Sequence, residues 1–166
     1  MEYQDSYIKL VQDFTESDEQ LVPFTLNEDY TDFPTLIERL NGYALGHNIP
    51  EGFVPHKSFW LIDENNNVVG TSNLRFELTD SLKQIGGHIG YGVKPSERGK
   101  GYATTILAET LLEAKKQGID KALITVNKTN TASANVIKKN GGVLDSESFV
   151  EGVKGLVQRY WINLEG

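Results

Sequence analysis

Apolar positions along the chain change period several times, and each change marks an element. Residues 5 to 16 place Tyr7, Ile8, Val11 and Phe14 on one helical stripe. The acidic, aperiodic stretch from Glu16 to Thr31 predicts a loop or a weak turn of helix. Asp32 then caps a second helix over "DFPTLIERLNGYAL", where Phe33, Leu36, Ile37, Leu40 and Ala44 share a face. "GHNIPEGFVPH" is broken by Gly46, Pro50, Gly52 and Pro55 and predicts an irregular loop. "SFWLID", "ENNN" and "VVGTSNLRFEL" read as a hairpin of two strands around an asparagine-rich turn. "HIGYGV", residues 88 to 93, is a third strand whose glycines indicate a bulge or another backbone passing close.

From Ala103 the apolar positions 103, 106, 107, 111 and 114 predict a helix that ends at Gly118. "KALITV" is a buried strand, and "NTASANVIKKNGG" is a short helix capped by Asn130 and stopped at Gly141. "ESFVEG" and "LVQRYWINL" close the chain as strands joined through "GVKG". No repeat or linker interrupts this order. It predicts one α/β domain over residues 1–166.

Composition narrows the setting. Of 166 residues, 39% are hydrophobic, enough for one core without a disulfide or a metal to hold it. The absence of cysteine excludes thiol catalysis and cysteine-ligated zinc, and it suits a reducing cytoplasm. No metal is expected. No apolar run approaches the roughly 20 residues of a membrane span, and "MEYQDSYIKL" lacks the cationic start of a secretory signal. A net charge of −7 argues against nucleic acid as a partner and is compatible with a cationic small substrate.

Against that acidic background one stretch is basic: "SERGKGYATT", residues 96 to 105. It lies between the strand at 88–93 and the helix that follows. The first amides of a helix have no partner inside it and sit at the positive end of its dipole. Gly99 and Gly101 have no side chain to block a ligand, while Arg98 and Lys100 add charge. Such a turn binds a phosphate or pyrophosphate, though alone it could equally be a plain helix start. A Walker loop needs GxxxxGK[ST], and here the lysine precedes the second glycine. "GKGYAT" gives only GxGxxT where a dinucleotide fold requires GxGxxG. What fits is R-x-x-G-x-A, read as Arg98, Gly101 and Ala103.

At these residues, and through "GGHIGYGVKPSERGKGYAT", Asn130 with Ser133, "VIKKNGG" and "RYWINL", the sequence resembles the GNAT superfamily of acyl-CoA-dependent N-acetyltransferases. The resemblance implies a mixed, mostly antiparallel central sheet flanked by helices and splayed around an acyl-CoA cleft. It also implies acetyl-CoA as co-substrate. Coenzyme A would be held by the backbone of Gly99, Lys100, Gly101 and Ala103, with Arg98 and Tyr102 beside them. The backbone of Tyr91 and Val93 would pair with the pantetheine arm, and Asn130 and Ser133 would line its far side. Asn130 also reads as a plain helix cap. Family members usually open with an edge strand, whereas here a helical pattern starts almost at once, so that strand is expected to be missing. An exposed neighbouring strand invites pairing with a second copy, and a homodimer is one solution.

In the family an amine attacks the thioester directly, which requires a neutral amine, an oxyanion donor and a proton for the thiolate. The donor would be a backbone N–H in the region from Tyr91 to Val93. His88 is the leading candidate for the base, against the alternative of a histidine that bridges strand to loop. Glu77 is the second, against a solvated strand carboxylate. Many relatives supply the acid from a tyrosine seven residues after the asparagine, where Ile137 stands here, so Tyr91 or a water would have to substitute. Arg75 either orients a carboxylate or phosphate on the acceptor or is a surface charge; His47 and His56 receive no role. The acceptor is a small-molecule or peptide amine of unidentified kind. An inactive acyl-CoA sensor and an unrelated nucleotide-phosphate binder are the rival readings.

Overall fold

A computed structural model describes residues 1–166. The chain enters helix α1 at Gln4–Glu16, and no strand precedes it. Helix α2, Phe33–Ala44, follows, its Asp32 side chain accepting the Thr35 N–H at 3.2 Å as the sequence pattern required. Strands β1 (His56–Ile62), β2 (Val68–Arg75) and β3 (Ile89–Val93) form one antiparallel sheet in the order β1-β2-β3. With no strand before it, β1 is the edge of this sheet, and α2 packs against it. The short helix α3 (Asp80–Gln84) follows β2, and Thr79 Oγ1 accepts the Leu82 N–H at 3.2 Å and caps it.

Helix α4 (Tyr102–Lys116), strand β4 (Lys121–Asn127) and helix α5 (Thr131–Lys139) come next. Strands β5 (Val143–Phe149) and β6 (Leu156–Asn163) complete a second antiparallel sheet in the order β4-β6-β5. The sequence had placed the penultimate strand at "ESFVEG"; the strand begins four residues earlier, with Val143 opposite Trp161. The reason is its position. As a sheet edge it buries almost nothing, so no apolar alternation announces its start.

Two cores hold the helices to the sheets. Tyr7, Phe14, Phe33, Leu36 and Val68 join α1 and α2 to the first sheet, with Tyr7 stacked 4.7 Å from Trp60. Leu74, Ile89, Leu107, Ile124, Ile137 and Tyr160 pack α4 and α5 across both sheets. One residue carries the main-chain hydrogen bond between the two sheets. His88, just before β3, donates its backbone N–H to the Leu123 carbonyl at 2.8 Å, and its Nδ1 accepts the Leu123 N–H at 2.8 Å. Beyond His88 no ladder joins β3 to β4, and the two strands diverge into a V.

Candidate active site

The open side of the V is a cavity of about 570 Å³. At its mouth Pro95 ends β3 into a short 3₁₀ turn, Pro95–Glu97, tied to α1 by the Ser96 N–H donating to Asp13 at 2.8 Å. Gly99 and Gly101 both adopt left-handed backbone conformations, φ +80° and +84°, which only glycine takes without strain. A Cβ at either would meet no protein atom, so the approach to this turn is open. The consequence is a run of free donors. The Arg98 N–H reaches Pro95 and the Thr105 N–H reaches Gly101, but the amides of residues 99–104 donate to no protein acceptor. Six N–H groups at and just before one helix entrance are thus without a protein partner, at the positive end of the helix dipole, where an anionic ligand is favoured.

The walls follow from register. The Arg75 N–H donates to His88 at 2.7 Å and the Lys94 N–H to Val69 at 2.8 Å. In an antiparallel ladder these bonds turn the even-numbered residues of β3 toward β2. The N–H and C=O groups of Tyr91 and Val93 therefore face the cleft, where no strand pairs with them. Across from them Asn130 accepts the Ser133 N–H at 3.2 Å and caps α5. The Tyr91 hydroxyl spans the gap to Ser133 Oγ at 2.7 Å. Burial raises the Tyr91 pKa above the ordinary tyrosine range, with the Ser133 bond opposing, so this hydroxyl keeps its proton at neutral pH. The floor is the segment at residues 22–24, which crosses β3 so closely that a Cβ on Gly92 would collide with the Val22 carbonyl. That close crossing is why β3 carries glycine there.

The basic side chains are less free than the amides. Arg98 makes a two-pronged ion pair with Glu19 at 2.7 and 2.8 Å, its guanidinium 5.8 Å above the Phe14 ring. Lys100 pairs with Glu97 at 2.6 Å and points to solvent.

His88 is 7% exposed and does not line this cavity. Burial first, and the nearby Arg75 charge second, lower its pKa to about 4. With its Nδ1 lone pair committed to Leu123, the neutral ring carries its proton on Nε2. It is a donor there, with no lone pair to offer. Glu77 is exposed and lies two residues past the end of β2, away from the cleft. Ile137, at the position where relatives place an acid, is wholly buried in the core.

Residues 12–142 match the model of the acetyltransferase (GNAT) family. The chain belongs to that family. Among solved structures it is similar to spermidine N-acetyltransferase SpeG from Vibrio cholerae, an F149A mutant, at 17% identity. That match covers 96% of this chain and 90% of the other with a TM-score of 0.63. Similarity to ribosomal-protein-S5-alanine acetyltransferase from Vibrio fischeri is 16% identity over 98% and 90%, TM-score 0.67. The yncA structure from Salmonella typhimurium, solved with its cofactor acetyl-CoA, gives 16% identity over 98% and 90%, TM-score 0.63. No curated protein matches the chain.

Within this GNAT fold, the residues expected to hold coenzyme A gather in one place. Tyr91, Val93, Arg98, Gly99, Gly101, Tyr102, Ala103, Asn130 and Ser133 all line the cleft; Lys100 offers only its amide. Sequence reasoning missed Phe14, Val22 and Lys139, which line it too. Val22 lies in an aperiodic loop and gives no pattern. Lys139, the last residue of α5, was legible only as one of two lysines at a helix end.

Proposed function

We propose that residues 1–166 form one N-acetyltransferase domain that moves the acetyl group of acetyl-CoA to a primary amine by direct attack in a ternary complex. The carrying observation is the unpaired amides of residues 99–104 at the mouth of a V whose β3 wall has an unpaired backbone edge. The amides of Gly99, Lys100, Gly101 and Ala103 grip the pyrophosphate, with Arg98 and Tyr102 beside it. The edge groups of Tyr91 and Val93 pair with the pantetheine arm as an added strand would, and Asn130 and Ser133 close the far side. The amine nitrogen bonds to the thioester carbon, and the carbonyl oxygen becomes an oxyanion held by a β3 N–H. The C–S bond then breaks, and the thiolate takes a proton from water or the Tyr91 hydroxyl. A thiol of pKa about 8.5 leaves without strong acid help.

The ammonium proton goes to water. His88 lacks the free lone pair a base needs, and Glu77 stands outside the cleft, so neither takes the base role in this reading. The burial of Ile137 supports a second one, an acyl-CoA sensor without turnover. Titration calorimetry with coenzyme A, followed by detection of free thiol from acetyl-CoA with a panel of amines, separates them. Binding with thiol release supports the transferase. Binding with no release from any amine supports the sensor, and absence of binding removes both.

A further inference from the structure

A second cavity, of about 410 Å³, opens on the other side of the segment at residues 22–24: Val22 lines the cleft, and Phe24 lines this second space. Two groups on its walls lack partners. Arg75, at the end of β2, donates through NH1 to the Gly86 and Gly87 carbonyls at 3.0 and 3.1 Å. Its Nε and NH2 donate to no protein group, and it takes part in none of the ion pairs of the chain. Burial alone lowers its pKa to about 10, with no carboxylate acting in the other direction. This is a half-buried cation without a counter-ion, its guanidinium over the Phe24 ring and its remaining donors free for an anion.

The second group is His56, at the start of β1 and 2% exposed. The Asn73 amide nitrogen donates to its Nδ1 at 2.8 Å, which leaves the ring proton on Nε2. That Nε2–H is buried and has no acceptor in the protein. The ring is neutral, since burial and then the Arg75 charge lower its pKa to about 4. His56 and Arg75 both line this cavity, each 5.3 Å from the Phe24 ring, and the neutral ring adds no second positive charge beside the guanidinium. The nearest carboxylate acting on His56, Glu28, is occupied by Arg39 at 3.0 Å and by the Tyr43 hydroxyl at 3.1 Å.

We infer that this cavity is the acceptor seat, and that the acceptor amine carries an anionic group, carboxylate or phosphate, bound by the free Nε and NH2 of the Arg75 guanidinium. The inference rests on the acyl-transfer reading for its amine and on the guanidinium without a counter-ion for its charge. A guanidinium with free donors matches a carboxylate or phosphate edge-on, and it repels a polyamine.

Matched acceptors test it with the wild-type chain. Thiol release from acetyl-CoA is measured with glycine against glycinamide, phosphoethanolamine against ethanolamine, and spermidine as the cationic control. The anionic member of at least one pair is expected to lead its neutral partner by about 50-fold or more in kcat/KM, and the leading pair tells carboxylate from phosphate. Arg75→Met is expected to cost that acceptor about 100-fold, mainly in KM, while coenzyme A affinity holds. If neutral amines or spermidine match or exceed the anionic acceptors, the anionic seat is wrong while acyl transfer stands. If no amine releases thiol, acyl transfer fails, and calorimetric titration of glycine and phosphoethanolamine onto the wild type and Arg75→Met judges the seat alone. Binding lost in the variant supports the seat; no binding to the wild type overturns it.

Discussion

Replacing His88 distinguishes a residue that fastens two sheets from one that moves a proton. In the structure Nδ1 of this ring is the acceptor for the buried Leu123 N–H, where the chain entering β3 is hydrogen-bonded to β4. His88→Ala leaves that donor without an acceptor, which costs about 1–3 kcal/mol, and it removes a buried ring besides. A total near 3 kcal/mol is expected, a fall in Tm of roughly 6–12 °C for a chain of this size. His88→Asn places an amide oxygen close to the position of Nδ1 and restores the acceptor, so most of the loss should be recovered. Asparagine does not titrate, however. Calorimetry or circular dichroism on the three proteins, paired with thiol release at saturating acetyl-CoA, gives both readouts. A fastening role predicts that His88→Asn keeps its Tm within about 3 °C and its turnover within about three-fold of wild type. A fully stable His88→Asn protein whose turnover drops 100-fold or more would refute this and restore the ring as the general base.

Further outcomes follow from the same geometry. Gly101→Glu puts a side chain at φ +84° and a negative charge among the free amides, so coenzyme A binding should fall below detection by calorimetry. Tyr91→Phe removes the only side-chain hydroxyl that β3 sends across to Ser133; kcat should fall about 10-fold with KM for acetyl-CoA nearly unchanged, and an equal loss in KM would assign the hydroxyl to binding instead. His56 and His88 both have folded pKa values of about 4 against 6.5 when unfolded, so between those values the unfolded chain binds protons that the folded chain refuses. Stability is therefore full above pH 6.5 and declines as pH falls toward 4, by several kcal/mol for the pair. Urea midpoints measured from pH 7.5 to 4.5 should show the decline, and His88→Asn should flatten part of it.

How far the chain could be read from its letters depends on how local each decision is. The basic turn is local: two glycines, an arginine and a helix start specify a left-handed entrance and free amides, and the structure has both. The first helix was legible because Tyr7, Val11 and Phe14 repeat at helical spacing, and they are the residues α1 buries. The start of β5 escaped because an exposed edge imposes no alternation. His88 could be located but its task could not be read, since whether Nδ1 meets an amide or an amine depends on β4, 35 residues away. The same limit hid His56. In the sequence it is one histidine in a proline-rich loop, and Arg75 reads equally as a surface charge. Only the pairing of β1 with β2 sets His56 opposite Arg75 and brings Asn73 to the ring, which fixes the tautomer and leaves Nε2 without a partner. In this chain the turn proposed to hold the cofactor is one contiguous stretch of sequence, whereas the seat proposed for the acceptor is assembled from strand register, and only the first can be read as a motif.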